Sequence, residues 1–537
     1  MSTIEGHPSP ASRWGFALRF LELPQARVNL ALLVLPIAAL LAIIAGGLAI
    51  RLSGLGALGL NSDEAVYAGQ AAAIAADPDL KEIFPIFRAH PLLFQYVLAV
   101  GRLVGVEEVG ARVISVLIGM LTVWLAFLLG RLLYGNRAGI LSALFMAVMP
   151  YHVVVTRQVL LDGPMTLFAT LALYLTARFA ASGRPVWLYA AGAALGLTFL
   201  AKETGIVLLG AVYVFLAVSP EVRVRLRDLT ISIAAMAIVI APFPLSLWLA
   251  GSSATAKVGS YFVWQLFRRA NHDWLFYPTT VPDAVGLGLV GVVIAAALVL
   301  LLLRLRIGWA EKLLVAWFAV PVLFFQLWPV KGFQYLLPAS VPLAVLAAYG
   351  ISVVFPATVW LGVSRGWVRA HLLPLLLGAI VATSLAVTSW YRVQVAISGE
   401  FLAGSGGVPG GREAGLWIRE NVPHGATLMT IGPSMANILQ YYGQRPAFGL
   451  SVSPNPLQRN PSYTPINNPD LEIRSGDMQY IVWDSFSAAR STHFADRVRE
   501  YAARYHGRVV HTESISVTTD AGDRATVPVI VIYEVRP

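Results

Sequence analysis

The chain has 537 residues, 57% of them hydrophobic and only 13% charged, whereas soluble domains carry about 25% charged residues. Most of it must therefore sit in lipid, and the absence of cysteine excludes disulfides, thiolate metal sites and cysteine nucleophiles. The formal net charge of +10 invites a nucleic-acid reading, but many Arg and Lys residues fall in short connections between apolar runs, where they set membrane orientation; no nucleic-acid partner is expected.

In chain order, residues 1–27 are polar, carry Arg13, Arg19 and Arg27, and read as a cytoplasmic tail. The first apolar run, 28–50, is longer than the ~7–15 residues of a signal-peptide core and has no evident cleavage site, so it is expected to span. Further runs follow at 109–133, 139–156, 163–181, 186–201, 203–219, 229–250, 284–303, 311–328, 333–355 and 371–391. Each is near the ~17–25 residues a membrane helix needs.

The segment 91–105 carries Gln95 and Arg102 and is nearer the length of an interfacial or re-entrant helix. If it does not span, 51–108 is one external loop. The basic connections Arg131–Arg137, Arg184, Arg223–Arg227, Arg304–Arg306 and Arg365–Arg369 then all lie on the cytoplasmic side with the N-terminus. The expected fold is a polytopic α-helical membrane protein of about 11 transmembrane helices, and up to 13. Its membrane module covers 28–392, with external loops 51–108 and 251–283.

From about residue 393 Gly and Pro rise and alternating segments appear at 427–431, 480–483 and 526–533, with helix-like 412–420 and 495–504 between them. Strands alternating with helices predict a small extracytoplasmic α/β domain over 393–537. The stretch 451–470, with five prolines, reads as a loop.

The chemistry concentrates at span junctions on the external side. Asn61-Ser62-Asp63-Glu64-Ala65-Val66-Tyr67 holds adjacent carboxylates after a Gly-rich turn, and Asp162 lies in Arg157-Gln-Val-Leu-Leu-Asp162-Gly-Pro164. Acids at the ends of membrane segments are costly and point to function. A plainer reading makes each a favourable helix N-terminus, with Asn61 or Ser62 as a cap. Cations share that side: His90, Arg157, Lys202, the pair Arg268 and Arg269, and Lys331. Any one of them reads as snorkelling. Together with three acids they suit a site that binds a phosphate through cations and uses a carboxylate as base.

These residues resemble a known family. The Asp63-Glu64 pair after the first span, His90-Pro91-Leu92-Leu93, Arg157 to Pro164 and Lys331-Gly-Phe-Gln-Tyr-Leu-Leu-Pro338 are similar to motifs of GT-C-fold glycosyltransferases of the dolichyl-phosphate-mannose protein O-mannosyltransferase type, a superfamily that includes the bacterial aminoarabinose transferase. The resemblance covers roughly 28–390. Two positions depart from it: Leu92 replaces a proline, and Gln334 stands where many relatives have arginine.

The resemblance implies transfer of a sugar from a polyprenyl-monophosphate carrier to an acceptor hydroxyl on a protein, glycan or glycolipid, with inversion, at the extracytoplasmic face of the cell membrane. Asp63 is then the expected general base, with Glu64 and Asp162 positioning the acceptor or the cations. Arg157, Lys202, Arg268, Arg269, His90 and Lys331 are the expected phosphate ligands, and Tyr67, Arg88, His272 and Tyr335 the further substrate contacts. No metal is expected to be obligatory, although three carboxylates leave room for Mg²⁺ or Mn²⁺. A transporter or flippase for a lipid-linked sugar would use the same charged face without transfer, but it favours Gly/Pro-broken repeated halves, and no internal repeat is evident. A non-catalytic scaffold has no need of acids at three span junctions.

Overall fold

The computed structural model describes residues 25–356, 367–394, 407–518 and 524–536. Most of the expected N-terminal tail, with Arg13 and Arg19, and Arg365 of the last basic connection lie outside the described residues. The first half forms α1 (Gln25–Leu52), α2 (Ser62–Ile74), α3 (Leu93–Leu103), α4 (Glu108–Tyr134), α5 (Asn136–Val148), α6 (Pro150–Thr156), α7 (Asp162–Ser182) and α8 (Pro185–Ala201). A 3₁₀ turn, Glu203–Ile206, leads into α9 (Val207–Val218), α10 (Leu226–Ile240), α11 (Pro242–Ala250), α12 (Ser252–Leu266), α13 (Phe276–Val285) and α14 (Leu287–Leu302). After α15 (Trp309–Leu327) come the 3₁₀ turn Phe333–Leu336, α16 (Leu337–Tyr349) and α17 (Trp367–Gln394).

Every apolar run of the sequence is helical, and the chain is a multi-pass membrane protein. Among the described residues six helices are long and apolar enough to cross a membrane, or eight if each of two bent pairs is one span. The helical stretch Leu226–Ala250 has a mean hydropathy of 2.1 yet only 11% of that window is buried in protein, so its apolar surface has no cover but lipid. The runs 186–201 and 203–219 give shorter apolar helices, while 28–50 lies within the 28-residue α1. One bend, of 59°, falls between α5 and α6, where Pro150 opens the second helix. The other, of 99°, falls at Gly286, whose φ of +94° is a left-handed conformation that glycine adopts without strain.

Between α1 and α4 no helix among the described residues has the length of a membrane span. Helix α3 has 11 residues, buries Phe94, Gln95, Leu98 and Ala99, and leaves Tyr96, Val97, Val100 and Leu103 exposed, the pattern of a helix lying along an interface. The segment 251–283, expected as a loop, instead contains the amphipathic α12 and then α13.

Helix α2 is capped by Asn61, whose Oδ1 accepts from the amides of Asp63 and Glu64 at 2.9 and 3.0 Å. Glu64 Oε2 accepts in return from the Asn61 amide at 3.0 Å, closing a capping box. Gly69 lets Phe84 press on the middle of the helix, where a Cβ would lie only 2.6 Å from the ring.

The C-terminal domain is a five-stranded sheet of order β2-β1-β3-β5-β4. Its strands are β1 (Leu428–Thr430), β2 (Ala447–Gly449), β3 (Tyr480–Asp484), β4 (Arg508–Thr518) and β5 (Arg524–Glu534); the first three are parallel, and β5 runs antiparallel to β3 and β4. Side chains alternate across it: Val482, Ile530 and Ile532 face α18 (Gly411–Asn421) and α19 (Pro433–Gly443), while Ile481 and Tyr533 face α20 (Thr492–Arg504). The first of these cores also takes in Leu60, Ala65 and Ala68 of the α2 region. Helix α2 thus belongs to the packing of both halves of the molecule.

Candidate active site

A cavity of about 440 Å³ opens where α2, the bent segment 88–90, the α8–α9 junction, α12, the turn 333–336 and loop 460–463 of the C-terminal domain converge. Asp63, Tyr67 and Gln70, spaced one helical turn apart on α2, line one wall, while Ala65 and Ala68 turn to the C-terminal core. Among the described residues no side chain or amide donates a hydrogen bond to the Asp63 carboxylate. Its partial burial holds its pKa above the ordinary aspartate value, against the pull of Lys202 and His90.

The opposite walls supply cations. Lys202 Nζ donates to both oxygens of Asp162 at 2.8 and 2.9 Å and lies 4.9 Å from the centre of the Tyr335 ring. His90 Nδ1 is 2.7 Å from Glu203 Oε2, and its Nε2 is 3.4 Å from the Tyr261 hydroxyl, to which Gln265 Nε2 donates at 2.6 Å. Arg268 stacks on Trp264 at 4.5 Å and donates to Gln265 Oε1 at 3.2 Å. Arg88 is buried, donates to Asn437 Oδ1 at 3.2 Å, and faces the Tyr463 ring at 5.2 Å. Among the described residues Arg88 and Arg268 have only neutral partners, which leaves their charge free for an anion, whereas Lys202 and His90 are each held by a carboxylate.

Of the residues singled out by sequence, Asp63, Tyr67, Arg88, His90, Lys202, Arg268 and Tyr335 line the cavity, with Asp162 directly behind Lys202. The others lie elsewhere. Glu64 is fully buried and engaged by Arg112 at 2.6 and 2.8 Å and by the amides of Asn61 and Val159, so it serves the fold and cannot hold an acceptor. Arg157, expected on a phosphate, donates to the carbonyls of Arg51, Ser53 and Val393 and ties α1 to the chain after α6. Lys331 Nζ donates to the carbonyls of Gln326 and Trp328, and Asn271 brackets its backbone; its charge is turned away from the cavity. His272 stacks on Phe276 at 4.1 Å, and Arg269 is exposed, both outside the cavity wall.

The cavity also contains residues the sequence did not single out: Glu203, Tyr261, Gln265 and the trio Asn460, Ser462 and Tyr463. Tyr261 and Gln265 stand four residues apart on α12, a helical spacing that the sequence carries, and Arg268 follows just beyond its end. Loop 460–463 carries no such period. Among the described residues, no three His, Asp or Glu side chains converge as a metal-holding group. Glu64 and Asp162 are already committed to Arg112 and Lys202.

Residues 89–248 match the family described as dolichyl-phosphate-mannose-protein mannosyltransferase; Asp63 and Gln334 lie outside the matched stretch. A curated relative, undecaprenyl phosphate-alpha-4-amino-4-deoxy-L-arabinose arabinosyl transferase of Pectobacterium carotovorum subsp. carotovorum (strain PC1), is 30% identical over 278 residues, 48% of this chain and 48% of its own length. The chain thus matches about half the length of that relative. The solved structure of ArnT from Cupriavidus metallidurans in the apo state superposes with a TM-score of 0.67 at 16% identity, covering 92% of this chain and 97% of ArnT. The same protein bound to undecaprenyl phosphate gives a TM-score of 0.63 at 17% identity, covering 94% and 98%. The chain therefore has the GT-C fold, and its resemblance to the mannosyltransferase and aminoarabinose transferase proteins holds in sequence over part of its length, residues 89–248 for the family match, and in fold over most of it.

Proposed function

We propose that this protein is a membrane glycosyltransferase that moves a sugar from a polyprenyl-monophosphate carrier to an acceptor hydroxyl, with inversion and with Asp63 as general base. The observation that carries the reading is an Asp63 carboxylate without a hydrogen-bond donor, open to a cavity whose other walls present Lys202, Arg268 and Arg88. In the step proposed, the acceptor oxygen attacks the anomeric carbon and its proton passes to Asp63 as the new C–O bond forms. The bond from that carbon to the phosphate oxygen breaks, and its electron pair leaves on the polyprenyl phosphate. A phosphate leaving group needs no general acid, only cations to hold the charge that develops on it. Arg268 and Lys202 are the cations proposed for that task, supported by their position on the cavity wall and by Asp162 holding the Lys202 ammonium at 2.8 Å. ArnT with undecaprenyl phosphate bound is a precedent for a polyprenyl phosphate on this fold.

Divalent-metal independence belongs to the same proposal, supported by the engagement of Glu64 and Asp162 with cationic side chains. The basic connections between spans support a plasma-membrane orientation with the N-terminus cytoplasmic and the cavity and C-terminal domain outside. The test is transfer from a panel of radiolabelled polyprenyl-phosphate sugars into cell-envelope extract by purified wild type and Asp63→Asn, with EDTA in parallel. Turnover of one donor by wild type, unaffected by EDTA and lost in Asp63→Asn, is the expected result. Donor binding without turnover in either protein would favour the transporter.

A further inference from the structure

One buried side chain of the C-terminal domain bridges two residues at the site. Asn437 sits on α19 and is 3% exposed. Its Nδ2 donates to Ser62 Oγ at 3.0 Å, and its Oδ1 accepts from Arg88 Nη2 at 3.2 Å. The direction of the amide is fixed by chemistry: a guanidinium has donors only, so the oxygen must face Arg88 and the nitrogen Ser62. Ser62 is the first residue of α2 and the neighbour of Asp63; Arg88 lines the cavity opposite. One amide thus joins the residue beside the expected base to a cavity cation.

The rest of the domain tightens the same connection. Ser462 Oγ donates to the Arg88 carbonyl at 3.1 Å, and the Tyr463 ring faces the guanidinium. Tyr442, also on α19, accepts from the Leu60 amide at 2.7 Å, just ahead of the cap that starts α2. Arg412 pairs with Glu108 at 2.6 Å and donates to the Gly56 carbonyl at 3.1 Å. Leu60, Ala65 and Ala68 are buried in the domain's own core. Nothing in the membrane module alone fixes the Ser62 side chain or the end of the Arg88 guanidinium among the described residues.

We propose that Asn437 is a positioning residue of the site, through which docking of the C-terminal domain sets Asp63 and Arg88 in register. This rests on the glycosyltransferase reading and deepens it: the soluble domain is a working part of the catalytic constellation. Asn437 is not among the residues that line the cavity; it acts through Ser62 and Arg88.

The experiment compares wild type, Asn437→Ala, Ser62→Ala and Asn437→Asp in transfer from radiolabelled undecaprenyl-phosphate sugars, with hydrogen–deuterium exchange over residues 60–70 on the same full-length preparations. Because small displacements of a catalytic group are costly, Asn437→Ala is expected to lose about tenfold or more in kcat with donor KM little changed. Ser62→Ala, which breaks one of the two contacts, falls between it and wild type. Asn437→Asp keeps an acceptor for both Arg88 and the Ser62 hydroxyl but gives Arg88 a carboxylate partner, so it is expected to restore the order of α2 and only part of kcat. Exchange over 60–70 should rise in Asn437→Ala and return in Asn437→Asp. A wild-type kcat and unchanged exchange in Asn437→Ala would overturn the proposal, as would raised exchange over 60–70 that Asn437→Asp fails to bring back. If wild type itself transfers from no donor, the glycosyltransferase reading fails, and the exchange data alone still decide whether Asn437 holds α2.

Discussion

Asp63 and Glu64 are neighbours in sequence and opposites in the structure. Successive residues on a helix point about 100° apart, so one carboxylate enters the cavity while the other turns into the packing between α2, α4 and the α6–α7 connection. Glu64 accepts from Arg112 through both oxygens and from two backbone amides, and Arg112 also donates to the carbonyls of Leu55, Leu58 and Gly59. This arrangement satisfies both buried charges and fixes the Gly-rich turn that delivers α2. Asp63 has no such company. The lesson is that a carboxylate saturated with donors holds the architecture, and the one left open beside cations is the one to which the proposed mechanism gives the proton.

The contrast can be broken at either end. The largest effect expected is on turnover: Asp63→Asn should lower transfer by about 10²–10⁴-fold, the usual span for removing a general base. Next is stability. Replacing Arg112 by Ala leaves a buried Glu64 without its partner and should cost about 3–5 kcal/mol, read as a fall in thermal midpoint in detergent.

The pH dependence sharpens the same comparison. A base works when deprotonated, so the acid limb of the transfer rate should lie above the ordinary aspartate range, because burial raises the Asp63 pKa. A carboxyl whose folded pKa lies above its unfolded one binds its proton more tightly in the folded state. Stability contributed by Asp63 therefore falls as pH rises from the usual aspartate value through the raised one. At neutral pH the wild type carries that cost, and Asp63→Asn should be at least as stable. The smallest effect is expected at the residues the cavity leaves out: Arg269→Ala and His272→Ala should change stability by no more than about 0.5 kcal/mol and leave donor KM unchanged.

Much of the fold was legible because lipid imposes a simple code: every apolar run became a helix, and 91–105, with Gln95 and Arg102, became a helix of only 11 residues. The C-terminal α/β pattern was legible from alternation at 480–483 and 526–533. Edge strand β4 was not, since Arg508–Thr518 interleaves polar residues with few apolar ones, and β2 has only three residues. For the site, charge type and position at span ends brought Asp63, Lys202, Arg268 and His90 into view. The same signal also drew in Arg157 and Lys331, because a cation serving backbone carbonyls and a cation facing a cavity are identical in sequence. Tyr463 and Asn437 come from a domain packed on α2 across more than 300 positions of chain, a proximity that no local period encodes.

The most direct test takes Asp63→Asn and Glu64→Gln together, measuring sugar transfer from the polyprenyl-phosphate donor and the thermal midpoint on the same preparations. The account predicts that Asp63→Asn loses transfer and keeps or raises its midpoint, while Glu64→Gln lowers the midpoint and retains transfer in whatever fraction stays folded. A stable Glu64→Gln protein without transfer, beside an active Asp63→Asn, would contradict it.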